Sequence, residues 1–257
     1  MRFPNLADKH KDAPVFTAAD LLAHRRRKGA APDFAPPQAV IFCYQPALLQ
    51  FAVKKWRGKQ QSGFFGAFYL LKKTNGRVGV MGNFGVGAPV TAVLLEELAA
   101  FGVPRFIIIS MVGGLQETSQ AGDLIVADRA LRDEGVSHHY LPSARFALPS
   151  PVLTQRLRRA LDSKGLSYQV GATWTTDAPY RETSREIAQY QEEGVLAVEM
   201  ETAALFAVAQ YLKVDAAAAL AIGDSMQNGR WRLDFDLHRA EEGLKTLLDA
   251  AVAELRE

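Results

Sequence analysis

The chain has 257 residues, enough for one large folded domain or two small ones, and with nearly half of them apolar it can bury a substantial core, which argues against a disordered chain. A net charge of +2 argues against a dedicated nucleic-acid binder, and no apolar run approaches the roughly 20 residues that span a bilayer. A single cysteine, Cys43, cannot form an internal disulfide; that fits a reducing compartment and, with no apolar leader after Met1, a cytoplasmic location.

Residues 1–37 read as an N-terminal extension and 38–257 as the main domain. Thr17-Ala18-Ala19-Asp20 is a capping-box pattern opening a short helix that Gly29 ends. The basic run His24 to Lys28 falls in the last turn of that helix, where cations favour the dipole and a solvated end is expected. Pro32, Pro36 and Pro37 mark a linker. Val40 to Cys43 then reads as a buried strand and Pro46 to Lys55 as a helix. Residues 56–76 suggest a hairpin-like excursion, with Asn75-Gly76 as a turn. Arg77 to Met81 is a strand leading into the loop Gly82-Asn83-Phe84-Gly85-Val86-Gly87. The next helix has Pro89 in its first turn and Gly102 just past its end.

Further along, Phe106 to Ile109 and Asp123 to Ala127 are strands, and 133–150 reads as a long loop. A helix near 151–163 and a strand near 168–172 precede a loop carrying Asp177 and Tyr180. Ala216 to Ile222 reads as the last strand, opening onto Gly223-Asp224-Ser225, and a helix from about Phe235 to Leu255 closes the chain. Strands alternating with helices imply a mostly parallel sheet covered on both faces.

Between these elements, Val195 to Glu201 runs as a short apolar strand into Glu199-Met200-Glu201, and helical spacing continues at once through Leu205, Phe206, Val208 and Leu212. Two carboxylates at a strand-to-helix junction stand either as a solvated strand end or at the mouth of a pocket, where α/β sheets bind ligands. His138-His139 lack metal-ligand spacing, and no Cys or carboxylate cluster supports them, so no metal site is expected.

The order Gly85-Val86-Gly87-Ala88-Pro89, Gly113-Gly114-Leu115, Ala121-Gly122-Asp123-Leu124-Ile125-Val126, Val198-Glu199-Met200-Glu201 and Gly223-Asp224 resembles the purine and uridine phosphorylase family, which also contains hydrolytic nucleosidases. The resemblance covers about residues 38–255 and implies a single α/β domain around a mixed, mostly parallel, partly barrel-like sheet flanked by helices. It further implies a homo-oligomer, a dimer or a trimer of dimers, acting on a nucleoside with inorganic phosphate as co-substrate and no cofactor. Membrane and nucleic-acid partners are not expected.

By the same resemblance, Glu201 accepts hydrogen bonds from ribose hydroxyls, with Met200 packed on the sugar and Glu199 beside them. Asp224 matches the aspartate that hydrogen-bonds or protonates the leaving purine, a role that asks for a raised pKa. Tyr180 is the aromatic contact for the base, because Pro179 stands where purine phosphorylases have phenylalanine. The 176–181 loop lacks the Gln-x-Arg pair of the uridine-specific members, which favours a purine.

For phosphate the matching positions are Gly85, Ser110 and Arg57, the last of a kind that a neighbouring subunit contributes. Departures concentrate there: Tyr44-Gln45-Pro46-Ala47-Leu48 replaces the family's Gly-Asp-Pro-x-Arg loop, Ile108 replaces a second arginine, and Met111 replaces a phosphate-contacting hydroxyl. Arg230 or Arg232 could substitute. The resemblance thus implies a nucleoside phosphorylase, with a hydrolytic nucleosidase or a non-catalytic nucleoside binder as alternatives.

Overall fold

The computed structural model describes residues 4–227, 229–232 and 236–256. Helix α1 (Ala18–Arg27) opens with the expected capping box: Thr17 accepts from the Asp20 amide, and the Asp20 carboxylate accepts from the Thr17 amide. The extension leans on the body rather than standing in solvent. Arg25, from the basic run, donates to Glu97 and to the Gly63 carbonyl, and Lys9 meets His139 at 2.9 Å.

The first half of the body holds β1 (Ala39–Cys43), α2 (Pro46–Trp56), the antiparallel pair β2 (Gly58–Gln61) and β3 (Ala67–Leu71), β4 (Val78–Gly82), α3 (Ala88–Phe101) and β5 (Arg105–Gly114). Parallel pairing on both sides buries all of β1, which explains its unbroken apolar run. Its Cys43 is completely buried, and burial pushes the thiol pKa far up.

The second half holds β6 (Leu124–Asp133), α4 (Ser137–Tyr140), β7 (Phe146–Ala147), α5 (Pro151–Asp162), β8 (Gln169–Thr176), α6 (Ser184–Glu192), β9 (Ala197–Glu199), α7 (Thr202–Leu212), β10 (Asp215–Gln227), β11 (Arg230–Arg232) and α8 (Leu237–Leu255). Strands β5, β10, β6, β8 and β9 pair in a closed ring, and β1, β4, β3 and β2 extend the sheet from β5. The longest ladders, β5 with β10 and β6 with β8, are parallel. The expected mixed, mostly parallel and partly barrel-like sheet is therefore present.

Several boundaries differ from the expectation. Strand β10 does not stop at Ile222: a bulge between Ile222 and Asp224 lets it continue to Gln227 and turn back into β11. Helix α6 had no counterpart in the sequence reading. The 133–150 loop contains α4 and β7, tied down by the buried Arg132, which donates to the Ser137 hydroxyl and to the Ser137 and Pro142 carbonyls. Phe235, the expected start of the last helix, lies outside the described residues. No helix among the described residues is long and apolar enough to cross a membrane.

Helix α7 is buried from Thr202 to Ala209 on every side, as an all-apolar helix must be. It packs against α3 and the ring, and this sandwich places the N-termini of α3 and α7 side by side.

Candidate active site

The two carboxylates of the Glu-Met-Glu segment are both buried, at 7% and 4% exposure for Glu199 and Glu201, which removes the solvated-strand-end reading. They face different partners. Glu199 accepts from the Thr175 hydroxyl at 2.6 Å and the Thr173 hydroxyl at 3.4 Å through one oxygen. Its other oxygen takes the Glu201 and Thr202 amides at 2.7 and 2.6 Å. Those amides belong to the first turn of α7, so Glu199 caps that helix from the strand before it. Its oxygens are occupied by the protein.

Glu201 turns instead towards the loop after β4. One oxygen accepts the Gly87 amide at 2.6 Å and the other the Met200 amide at 3.3 Å. Gly87 can aim its amide there because its φ of 106° lies in a region that side chains disfavour. An ionised carboxylate has about four lone-pair sites, so two remain for a ligand after these backbone bonds. Burial raises the Glu201 pKa, and the charge of the neighbouring buried Glu199 raises it further, to about 8. Met200, between them, is half-buried.

Sequence reasoning missed Tyr44 and Thr91. The Tyr44 hydroxyl lies 2.5 Å from the Thr91 hydroxyl, which donates to the Gly87 carbonyl at 3.0 Å. Burial, then the Glu201 charge, drives the Tyr44 hydroxyl well above its ordinary pKa. The signal available was position: Tyr44 directly follows β1, at the carboxyl end of a parallel strand.

Asp224 lies on β10 opposite Gly113, half-buried, and burial raises its pKa. Beside it the missing side chain of Gly223 admits Met111: a Cβ built there would stand 2.5 Å from the Met111 side chain. Ser110 is buried, and its hydroxyl donates to the Met111 carbonyl at 3.2 Å; the Met111 amide donates to Gln45 at 3.2 Å. Leu48 and Ile108, standing where the family carries arginines, are core residues. Gly85 is exposed in the loop, two residues before Gly87.

Two expected residues do not join this group within one chain. Tyr180 is 99% exposed in a turn at Pro179–Arg181, so its ring touches no base pocket in this arrangement. Arg57 is exposed in a left-handed conformation at the far end of α2, whose 11 residues put it roughly 16 Å from Gln45. Arg230 and Arg232 are exposed on β11. Among the described residues no group of three or more His, Cys, Asp or Glu could hold a metal ion.

A sequence profile of the phosphorylase superfamily matches residues 45–253, which takes in every element of this site from Gln45 to Asp224. The chain belongs to the phosphorylase superfamily. A purine nucleoside phosphorylase of the DeoD type from Alkaliphilus metalliredigens is 34% identical over 163 residues, 60% of this chain and 66% of that protein. The chain spans 60% of the length of a uridine phosphorylase from Haemophilus influenzae that it matches at 31% identity. A uridine phosphorylase structure from Vibrio fischeri shares the fold, with TM-score 0.73 and 24% identity over 87% of this chain and 92% of that one. An AMP nucleosidase structure from Bacteroides thetaiotaomicron superposes with TM-score 0.67 and 26% identity, over 85% and 87% of the two chains. Membership accounts for the strand-end location of the carboxylates.

Proposed function

We propose that the chain cleaves the N-glycosidic bond of a nucleoside by phosphorolysis, releasing the free base and ribose 1-phosphate. The observation that carries this reading is Glu201, a buried carboxylate with two acceptor positions left beside the Gly87 loop. Ribose hydroxyls fill those positions, and the negative charge opposes the positive charge that grows on the sugar as the bond to the base breaks. Glu199 acts on the sugar only indirectly, by fixing the start of α7, and Met200 packs against the ring. The C1′–N bond breaks with its electron pair leaving on the base, and Asp224, whose pKa burial raises, supplies or shares a proton at the base. Phosphate oxygen attacks C1′ from the opposite face, near Gly85 and Ser110.

In this reading the enzyme needs no cofactor, prefers purine nucleosides, and works in the cytoplasm in purine salvage. It acts as a homo-oligomer, a dimer or a trimer of dimers, with Arg57 of one copy completing the anion end of another. Residues 1–37 are an extension outside the catalytic domain.

Hydrolysis is the second reading, and a specific observation favours it. Among the described residues, the charges that raise the Glu201 and Tyr44 pKa values are those of carboxylates, and the positions for phosphate arginines are the buried Leu48 and Ile108. Water needs no such cation. A panel of purine and pyrimidine nucleosides assayed with and without phosphate separates the two. Phosphate-dependent base release with ribose 1-phosphate is expected; base release indifferent to phosphate, with free ribose as product, would replace phosphorolysis by hydrolysis.

A further inference from the structure

One rank of paired residues crosses the rim of the ring. Leu131, Trp174, Val198, Gly113 and Asp224 are successive cross-strand partners on β6, β8, β9, β5 and β10. Partners across a ladder present their side chains on one face, so the rank runs as three apolar side chains, a gap at Gly113 and a carboxylate. The gap is filled from the neighbouring strand. A Cβ built on Gly113 would stand 2.7 Å from Cη2 and 3.0 Å from Cζ3 of Trp231. Trp231 pairs with Met226, two residues beyond Asp224 on the same face, so its ring lies over the sheet next to Asp224.

The indole is also fixed at its polar edge. Its Nε1–H donates to Glu182 Oε2 at 3.0 Å. Glu182 follows the Pro179–Arg181 turn, is half-buried, and lies close enough to Asp224 and Glu186 to feel both charges. The ring packs partly against the cluster of Leu115, Val198 and Met226. Packing alone does not ask for a half-buried carboxylate on each side of it.

We propose that Trp231 is the aromatic wall of the base subsite, on which the leaving heteroaromatic base stacks beside Asp224, and that Glu182 is a positioning residue that holds this wall through the indole N–H. The inference rests on the nucleoside-cleaving reading and deepens it. It also supplies the aromatic contact that the exposed Tyr180 does not make in one chain. Stacking on an indole tolerates any planar base, while a carboxyl edge favours bases that present a ring nitrogen or an amino group there. Selectivity for purines then follows from the larger ring face covering Trp231.

The test combines steady-state kinetics with tryptophan fluorescence during titration with free adenine, hypoxanthine and uracil. Wild type is expected to be quenched by the purines, with uracil weaker. Trp231→Leu is expected to lose that component and to raise KM for a purine nucleoside at least tenfold. Trp231→Phe keeps a stacking face, so KM returns to within a fewfold of wild type while the fluorescence component stays lost. Glu182→Ala raises KM, and Glu182→Gln, which keeps an oxygen for the indole N–H, restores most of that loss. The wall is overturned if wild type cleaves nucleosides yet shows no fluorescence change at saturating base, a result that needs no variant to fold. It is equally overturned if Trp231→Leu keeps KM within twofold of wild type. If wild type neither cleaves nucleosides nor responds to any base, the functional reading falls and the wall with it.

Discussion

Under the proposed function, the end of the site assigned to the sugar and the end assigned to the anion are built in opposite ways. At the sugar end, two buried carboxylates draw on hydroxyls from β8 and amides from the loop after β4 and the start of α7. At the anion end, Leu48 and Ile108 simply continue the core, and one amide, Gln45, steadies the Met111 backbone. A buried carboxylate without donors costs several kcal/mol, so the backbone itself must be shaped around it. Side chains that pack as core make no such polar demand on the backbone. The sugar end is therefore the half held by hydrogen bonds, and the anion end is the half held mainly by apolar packing.

The contrast is broken most directly at Glu201. Glu201→Ala removes two charge-assisted bonds worth about 1.5–3 kcal/mol each, so kcat/KM should fall by about 10²–10⁴. Gln45→Ala, at the other end, should cost less than about tenfold, since it removes one neutral hydrogen bond. Equal losses in the two variants, measured on one nucleoside, would erase the distinction.

The next effect is on pH. The raised Glu201 pKa means that the group is protonated below about 8 and accepts ribose hydroxyls best when ionised. On the acid side, kcat/KM should rise with pH, by up to about tenfold per unit, and level off near 8. Stability runs the other way. A carboxyl raised in the folded state favours the fold when neutral, and this contribution is lost as pH climbs from the unfolded value near 4.5 through about 8. Glu201→Gln stays neutral, so its Tm should gain on wild type by several degrees between pH 5 and pH 9. A constant gap across that range would mean that Glu201 is ionised throughout.

Smaller effects sharpen the picture of the hydrogen-bonded half. Thr175 donates to Glu199 and accepts from the Ala203 amide at 2.9 Å, so Thr175→Val should destabilise by about 1–3 kcal/mol in a denaturant titration. Thr17→Ala breaks the capping box of α1 and should cost about 1 kcal/mol at most, with kcat/KM unchanged, because α1 does not reach the carboxylates.

Much of this was legible in the chain because local physics and the fold agree there. Pro89 and Gly102 bracket α3 in both readings, and the Thr17 capping box is present as written. The Glu-Met-Glu junction marks the start of α7, although which carboxylate faces the ligand depends on Thr173 and Thr175, some 24 to 28 residues away in sequence. Helix α6 was within reach: Thr183 and Glu186 form the same capping box as Thr17 and Asp20. Strand β10 was truncated because its apolar run ends at a bulge, beyond which the strand continues with polar residues. The Trp231–Glu182 contact joins residues 49 apart through a three-residue strand, and no periodicity signals it.

Cys43 lies at the end of β1 with β4 and β5 hydrogen-bonded on either side, its thiol buried and held protonated. A thiol reagent reaches it only when the packing over that central strand opens. Because the chain has one cysteine, labelling is free of any competing signal. The rate at which a disulfide reagent reacts with the native protein is thus a direct clock for opening of the core. One kinetic trace per variant would rank Glu201→Gln, Thr175→Val and Thr17→Ala without denaturant or added probe.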